Sequence, residues 1–176
     1  MRWRERGRPR RAGRCLPVPV LVRGLYALPG VPAGEHASLA EVAKKVPNGV
    51  VCRLSALSYY GLGSQIPRRV WLALPAHGSV PRLGTVTLEP VRMNDASFRA
   101  GVRTVDIDGV PVRTFGLSKT VADLFKFRSR VGLDVALEAL KAYWWSEHRD
   151  PDALYRYARV DRVQRVLQPY VEVLAA

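Results

Sequence analysis

The stretch that most constrains the fold of this 176-residue chain is GVRTVDIDGVPVRTFG, residues 101–116. Two runs rich in β-branched residues flank Asp108-Gly109. An Asp-Gly pair in that setting marks a two-residue hairpin turn, because both central positions take positive φ. A lone hairpin is marginal in water and needs more strands or a helix against it. RVWLALP (69–75) and TVTLEPVR (85–92) supply two further segments of strand character. Upstream, VRGLYALPG (22–30) reads as a short strand closed by a Pro-Gly turn, and a helix is predicted from about His36 to Val46. VVC then opens a buried strand or turn before a second helix over about residues 53–60. After Gly116 the chain is helical. SKTVADLFKFRSRVGLDVALEAL (118–140) gives two helices, and DPDALYRYARV a third, with Asp150 as N-cap and Pro151 at the first helical position. DRVQRVLQPYVEVLA gives a fourth, interrupted at Pro169. The expected class is α+β, with a small, mostly antiparallel sheet of about four strands flanked by N-terminal helices and a C-terminal helical bundle.

Charge carries the next constraint. The net charge is +13, and residues 1–23 hold eight arginines against one glutamate, a net of +7. The other 153 residues keep 20 basic against 14 acidic side chains, a net of +6. An excess of this size in both parts favours an anionic partner, either nucleic acid or an acidic protein surface. Residues 1–22 have no apolar periodicity and are rich in Arg, Pro and Gly, so they are expected to form a basic, disordered leader. The apolar run CLPVPVLV is too short to span a bilayer and lacks the cleavage site of a secretory signal. With two dissimilarly placed cysteines and no disulfide framework, a reducing cytoplasm is the expected location, away from membranes.

Chemistry-bearing motifs are sparse. His36, His77 and His148 share no ligand spacing, and the chain has no HExxH, GxSxG, Walker A or GxGxxG. Asp106 and Asp108 offer too few oxygens for a metal, and Asp108 has a sufficient role in the turn. No catalytic residue, metal or cofactor is therefore expected, and the scarcity of clustered carboxylates argues against a degenerate nuclease. The candidate contact residues are basic or aromatic. On a helical projection Lys119, Asp123, Lys126 and Arg130 lie opposite the apolar stripe of Val121, Leu124 and Phe125. That pattern predicts a solvated face laced by weak i,i+4 ion pairs. Arg128 projects towards the apolar arc, so the helix ends before it, its stem snorkels, or it reaches a partner. In the next helix Trp145 falls on the polar side, either as an interface anchor or as packing under the following helix. Arg68 and Arg69, in a loop before a strand, suit phosphate or carboxylate contact, or guard a strand edge.

Read together, RGLYALPG, SQIPRRVWLALP, DIDGVPVRTF and SKTVADLFKFRSRVGLDVALEALK resemble the AbiEi-family antitoxins of type IV toxin–antitoxin, or abortive phage infection, systems. The resemblance runs from Arg23 to the C-terminus, 154 of the 176 residues. It implies a non-enzymatic antitoxin that counteracts a nucleotidyltransferase toxin without forming a stable complex, and that represses its own operon through an N-terminal winged helix-turn-helix. It also implies that positively charged faces serve both tasks. By position the candidates for DNA or partner contact are Arg23, Arg68, Arg69, Lys119, Lys126, Arg128, Arg130 and Trp145. The pattern is broken at one place: only 22 residues precede the wing, whereas the family's helix-turn-helix takes about forty to fifty. The expected organisation is thus a leader (1–22) in place of most of that motif, a remnant of the wing (23–30) and an antitoxin-like domain (31–176). Operator binding is correspondingly weakened. A transcriptional regulator with no toxin partner is the alternative reading.

Overall fold

The computed structural model describes residues 20–22, 25–26, 36–80, 83–84 and 86–176. The chain divides into two units, Met1–Ala33 and Gly34–Ala176. In the first, β1 (Val20–Val22) pairs antiparallel with β2 (Leu25–Tyr26), with Val20 opposite Tyr26. The strand expected over residues 22–30 is thus represented by a two-strand ribbon that begins earlier. Most of the leader and Arg23 lie outside the described residues.

The second unit runs α1 (Ala37–Lys45), β3 (Val50–Val51), α2 (Arg53–Tyr59), β4 (Val70–Pro75), β5 (Leu88–Met93) and α3 (Asp95–Arg99). It continues through β6 (Val102–Ile107), β7 (Val110–Phe115), α4 (Leu117–Lys126), α5 (Arg128–Val131), α6 (Leu133–Trp144), α7 (Pro151–Val160) and α8 (Gln164–Ala175). Its sheet has five strands in the order β5-β4-β3-β7-β6. The expectation of a mostly antiparallel sheet of about four strands is overturned, because the sheet is mixed. β3 pairs antiparallel with β4 and β6 with β7, while β4–β5 and β3–β7 are parallel. Two physical reasons account for the difference. Residues 76–87 form a connection of about a dozen residues, long enough for a parallel crossover where a hairpin needs far fewer. The central strand β3 is two residues long, below the length at which period-2 alternation is visible.

The hairpin forms as expected. Asp108 and Gly109 take φ of 53° and 75°, and the Gly109 N–H donates to Asp106 Oδ1 at 2.9 Å. Asp106 is therefore engaged in closing the turn. The pleat sends alternate side chains to two cores. Val51, Val70, Leu72, Leu74, Val110 and Val112 share one cluster with Leu39, Ala40 and Val42 of α1. On the other face Val50, Ala73, Val91, Met93 and Phe115 pack with Phe98 of α3. A third cluster joins α2 to the bundle α4, α6, α7 and α8. Edge strand β5 carries Pro90 and Arg92, residues suited to an edge where a missing N–H and a charge discourage further pairing.

In the helical half, Asp150 caps α7 by accepting from the Ala153 N–H at 2.9 Å, with Pro151 at the first position, as the sequence predicts. The predicted interruption at Pro169 does not occur, and α8 runs through it. Pro169 and Arg165, whose carbonyl loses its helical donor, are both exposed, so the helix continues at a place open to solvent.

Candidate functional site

Helix α4 is the centre of the helical half and packs against α2, α6, α7 and α8. Its apolar stripe of Val121, Leu124 and Phe125 is wholly buried. Of the four residues expected on a solvated face, Lys119 and Asp123 are buried as well, each 0% exposed, which overturns that reading for them, while Lys126 is half-buried and Arg130 exposed. The residue that closes over Lys119 and Asp123 is Asp161, just past the end of α7 and 42 positions from Lys119. Lys119 Nζ donates to Asp123 Oδ1 and to Asp161 Oδ2, each at 2.7 Å. Lys126 Nζ, only partly buried, reaches Asp161 Oδ1 at 3.1 Å and Ser97 Oγ at 2.8 Å. The Ser97 hydroxyl in turn donates to Asp161 Oδ1 at 2.8 Å. Two ammonium groups, two carboxylates and a hydroxyl thus form one network tying α4, α3 and the α7–α8 junction together.

This network is built for holding position. Gly101, at φ +71°, lets the β6 end approach until a methyl group there would lie 2.9 Å from Lys119 Cβ and 3.0 Å from the Tyr157 ring. Burial pushes the Asp123 carboxyl up to about 7, with the Lys119 ammonium opposing and the Asp161 carboxylate adding to the push. Asp123 Oδ2 has no hydrogen-bond partner, which agrees with a carboxyl that is easily protonated. Asp161 moves the other way. Burial would raise it, but Lys119, Lys126 and Ser97 hold it below the usual carboxylate value. For Lys119, burial works against the charge and the two carboxylates outweigh it, leaving its pKa raised.

A second buried cation lies at the start of α2. Arg53 is fully enclosed, and its Nε, Nη1 and Nη2 have no hydrogen-bond partner. Its position follows from the chain around it. The Cys52 N–H donates to Trp71 O at 3.0 Å, and the Trp71 N–H donates to Ser55 Oγ at 2.9 Å, which fixes the first turn of α2 against β4. The guanidinium then sits 3.6 Å from the Phe127 ring centroid and 5.0 Å from that of Trp71. Desolvation lowers its pKa, with Asp123 among the groups that oppose the shift. Its backbone is in the left-handed region at φ 48°, an uncommon conformation for arginine. Cation–π contact returns about 2 kcal/mol for a desolvated pair. An uncompensated buried charge costs several kcal/mol, so the two rings offset only part of it. Next to it, burial raises the Cys52 thiol far above its usual range, leaving it a neutral core residue.

The remaining candidates separate. Arg128 is resolved by the end of α4 at Lys126: its Nη1 donates to Phe125 O at 2.8 Å, filling one of the carbonyls a helix end leaves open. Arg130, on the short helix α5, is exposed and acts electrostatically on Arg53. Arg69 pairs with Glu89 at 3.2 Å beside the β4–β5 pairing, and since β4 is flanked by β5 and β3 it guards no strand edge, while Arg68 is exposed. Trp145 is 70% exposed, so it does not pack under the following helix. Sequence reasoning missed Arg53, although it falls in register with Ala56, Leu57 and Tyr60 at i, i+3, i+4 and i+7, the spacing of a buried face. It also missed Arg156, Arg159, Arg162 and Arg165, which recur every third residue through the α7–α8 junction and are all exposed. Arg159, Arg162 and Arg165 line a broad, shallow depression together with Gln164 and Gln168. Among the described residues no three His, Cys, Asp or Glu side chains come together as a metal-ligand group. No helix among them is long and apolar enough to cross a membrane.

Models of known protein families and curated protein sequences were both compared with the chain, and neither gives a match.

Proposed function

We propose that the chain is a non-enzymatic cytoplasmic antitoxin of the AbiEi type, counteracting a nucleotidyltransferase toxin through a basic face of its helical half. One observation carries the reading. The exposed arginines along α7 and α8 form a ridge over a shallow, open depression, a shape suited to a large anionic surface. Two of the segments that carry the resemblance add support, since they meet in space: Trp71 of SQIPRRVWLALP and Phe127 of SKTVADLFKFRSRVGLDVALEALK enclose the same guanidinium. Lys119 and Lys126 leave the list of contact residues, because their charges are consumed inside the protein. Arg68, Arg130, Trp145 and the α7–α8 ridge take their place.

The test is co-expression with a nucleotidyltransferase toxin, sought first among the genes adjoining this one. The chain is expected to relieve growth arrest, and Arg159→Glu with Arg165→Glu is expected to abolish relief while leaving the far-ultraviolet spectrum and melting temperature unchanged. Full relief by that folded double variant would sink the assignment. The +7 charge of residues 1–23 favours a second reading, autoregulation or regulation by DNA binding without a toxin. A steep salt dependence with no preference for the upstream operator would reduce that reading to electrostatic attraction.

A further inference from the structure

Beside α5 lies a pocket of about 360 Å³ lined by Arg53, Pro90, Val91, Arg92, Phe127 and Arg130. Its volume falls within the range of small-molecule sites. Three of its six lining residues are arginines, and each is placed by a different device. Arg53 is enclosed between Trp71 and Phe127 with no hydrogen-bond partner for any guanidinium nitrogen. Arg92 is fixed on edge strand β5 by donating Nη1 to Ala76 O at 2.9 Å and to Gly78 O at 2.6 Å. Arg130 is held at the mouth by the short helix that ends at Val131. The nearby acids are already engaged: Glu89 pairs with Arg69, and Asp123 pairs with Lys119. The pocket therefore carries an excess of positive charge, offset in part at Arg53 by Asp123 and Glu89, and its innermost cation lacks a hydrogen-bond acceptor.

We propose that this pocket binds a small organic phosphate, its phosphate group accepting from Arg53 and Arg130 and its body lying on the Phe127–Pro90–Val91 wall. A dianion matches the local charge better than a single carboxylate does. Guanidinium forks also suit the spread of phosphate oxygens. The strained backbone at Arg53 fits a residue held for a ligand, since the left-handed conformation persists only where the surroundings enforce it. The inference does not rest on the α7–α8 ridge; it shares only Arg130 with the contact surface proposed above, and Arg53→Met tests it apart from that surface.

Calorimetric titration of the full chain in low-salt, phosphate-free buffer tests it, with inorganic phosphate and adenosine monophosphate as probes. One-to-one binding is expected for both, tighter for the nucleotide because of the apolar wall. Arg130→Gln, at an exposed position, is expected to weaken both by about tenfold, the value of one charge-assisted hydrogen bond. Arg53→Met, which keeps an unbranched stem between the rings, is expected to abolish binding. Absence of saturable binding to the wild-type chain at millimolar probe, or undiminished binding to the folded Arg130→Gln variant, overturns the site and leaves Arg53 as a core cation held by two rings. Equal affinity for the two probes overturns the organic part of the assignment and leaves free phosphate.

Discussion

Replacing Lys119 by methionine separates two accounts of α4 by an order of magnitude. If Lys119 and Asp123 were an exposed i,i+4 pair, the change would cost about 0.2–0.5 kcal/mol. The structure places Lys119 Nζ 2.7 Å from each of two carboxylates, with all three side chains closed to water. Methionine fills nearly the same volume, so little of the cost comes from packing. What it leaves is Asp123 with no counter-charge and Asp161 with only Lys126 and Ser97, and an uncompensated buried charge costs about 3–5 kcal/mol. With a urea m-value of about 2 kcal/mol/M, the unfolding midpoint falls by about 2 M. Tryptophan fluorescence follows the transition, since Trp144 is buried in the bundle. The loss also depends on pH in a known direction. Without the ammonium group both carboxyl pKa values rise in the folded state, so stability is retained at low pH and lost as pH rises through those raised values. The penalty is therefore larger at pH 8 than at pH 5. A companion variant, Lys119→Met with Asp123→Leu, removes both charges and is expected to recover much of the loss. A penalty near 0.5 kcal/mol that does not change with pH would refute the buried network.

Asp123→Asn isolates the carboxyl that titrates near 7 in the folded protein, against 3.8 as its reference value. A raised carboxyl contributes stability below pH 4 and loses it up to about pH 7. The variant's stability relative to wild type should therefore climb by about 2–3 kcal/mol between pH 5 and pH 7 and level off above pH 8. A flat difference curve across chemical denaturation at each pH would contradict the shift. Gly101→Ala should cost about 2–4 kcal/mol, from the left-handed φ and from a methyl group driven against Lys119 Cβ and the Tyr157 ring. A thermal melt within two degrees of wild type would show that this contact yields freely.

Where local chemistry decides, the sequence is a sufficient guide. Asp108-Gly109 dictates its turn because few residue pairs accept two positive φ values, and Asp150-Pro151 dictates a helix start because its hydrogen bond spans only three residues. Where distant residues decide, the projection misleads. A helical wheel sorts Lys119 and Asp123 to a polar face correctly, yet whether water or another helix meets that face depends on Asp161, which no local period connects to them. Strand direction is of the same kind. Both β4 and β5 are legible as strands, but their parallel pairing is set by the length and path of the connection between them. Arg53 and the arginine ridge were legible in principle, the first as a charge at a core-facing helical spacing and the second as a three-residue repeat.

The two-residue strand β3 has a consequence for the order in which this domain assembles. On one side of it stand β4 and β5, and on the other β6 and β7. The β6–β7 ribbon closes through a tight turn and belongs to the microsecond class of events. Joining it to β4 and β5 waits for Val51 to find Thr114, 63 positions along the chain, where Thr114 Oγ1 donates to Val51 O at 3.3 Å. That closure carries the entropy of a long loop and is rewarded by very few ladder bonds, so it depends on the helices above and below to make it last. The sheet is thus two ribbons joined along a seam of two valines. Amide exchange across a seam that short reports on the helical cores clamping it more than on the strands themselves.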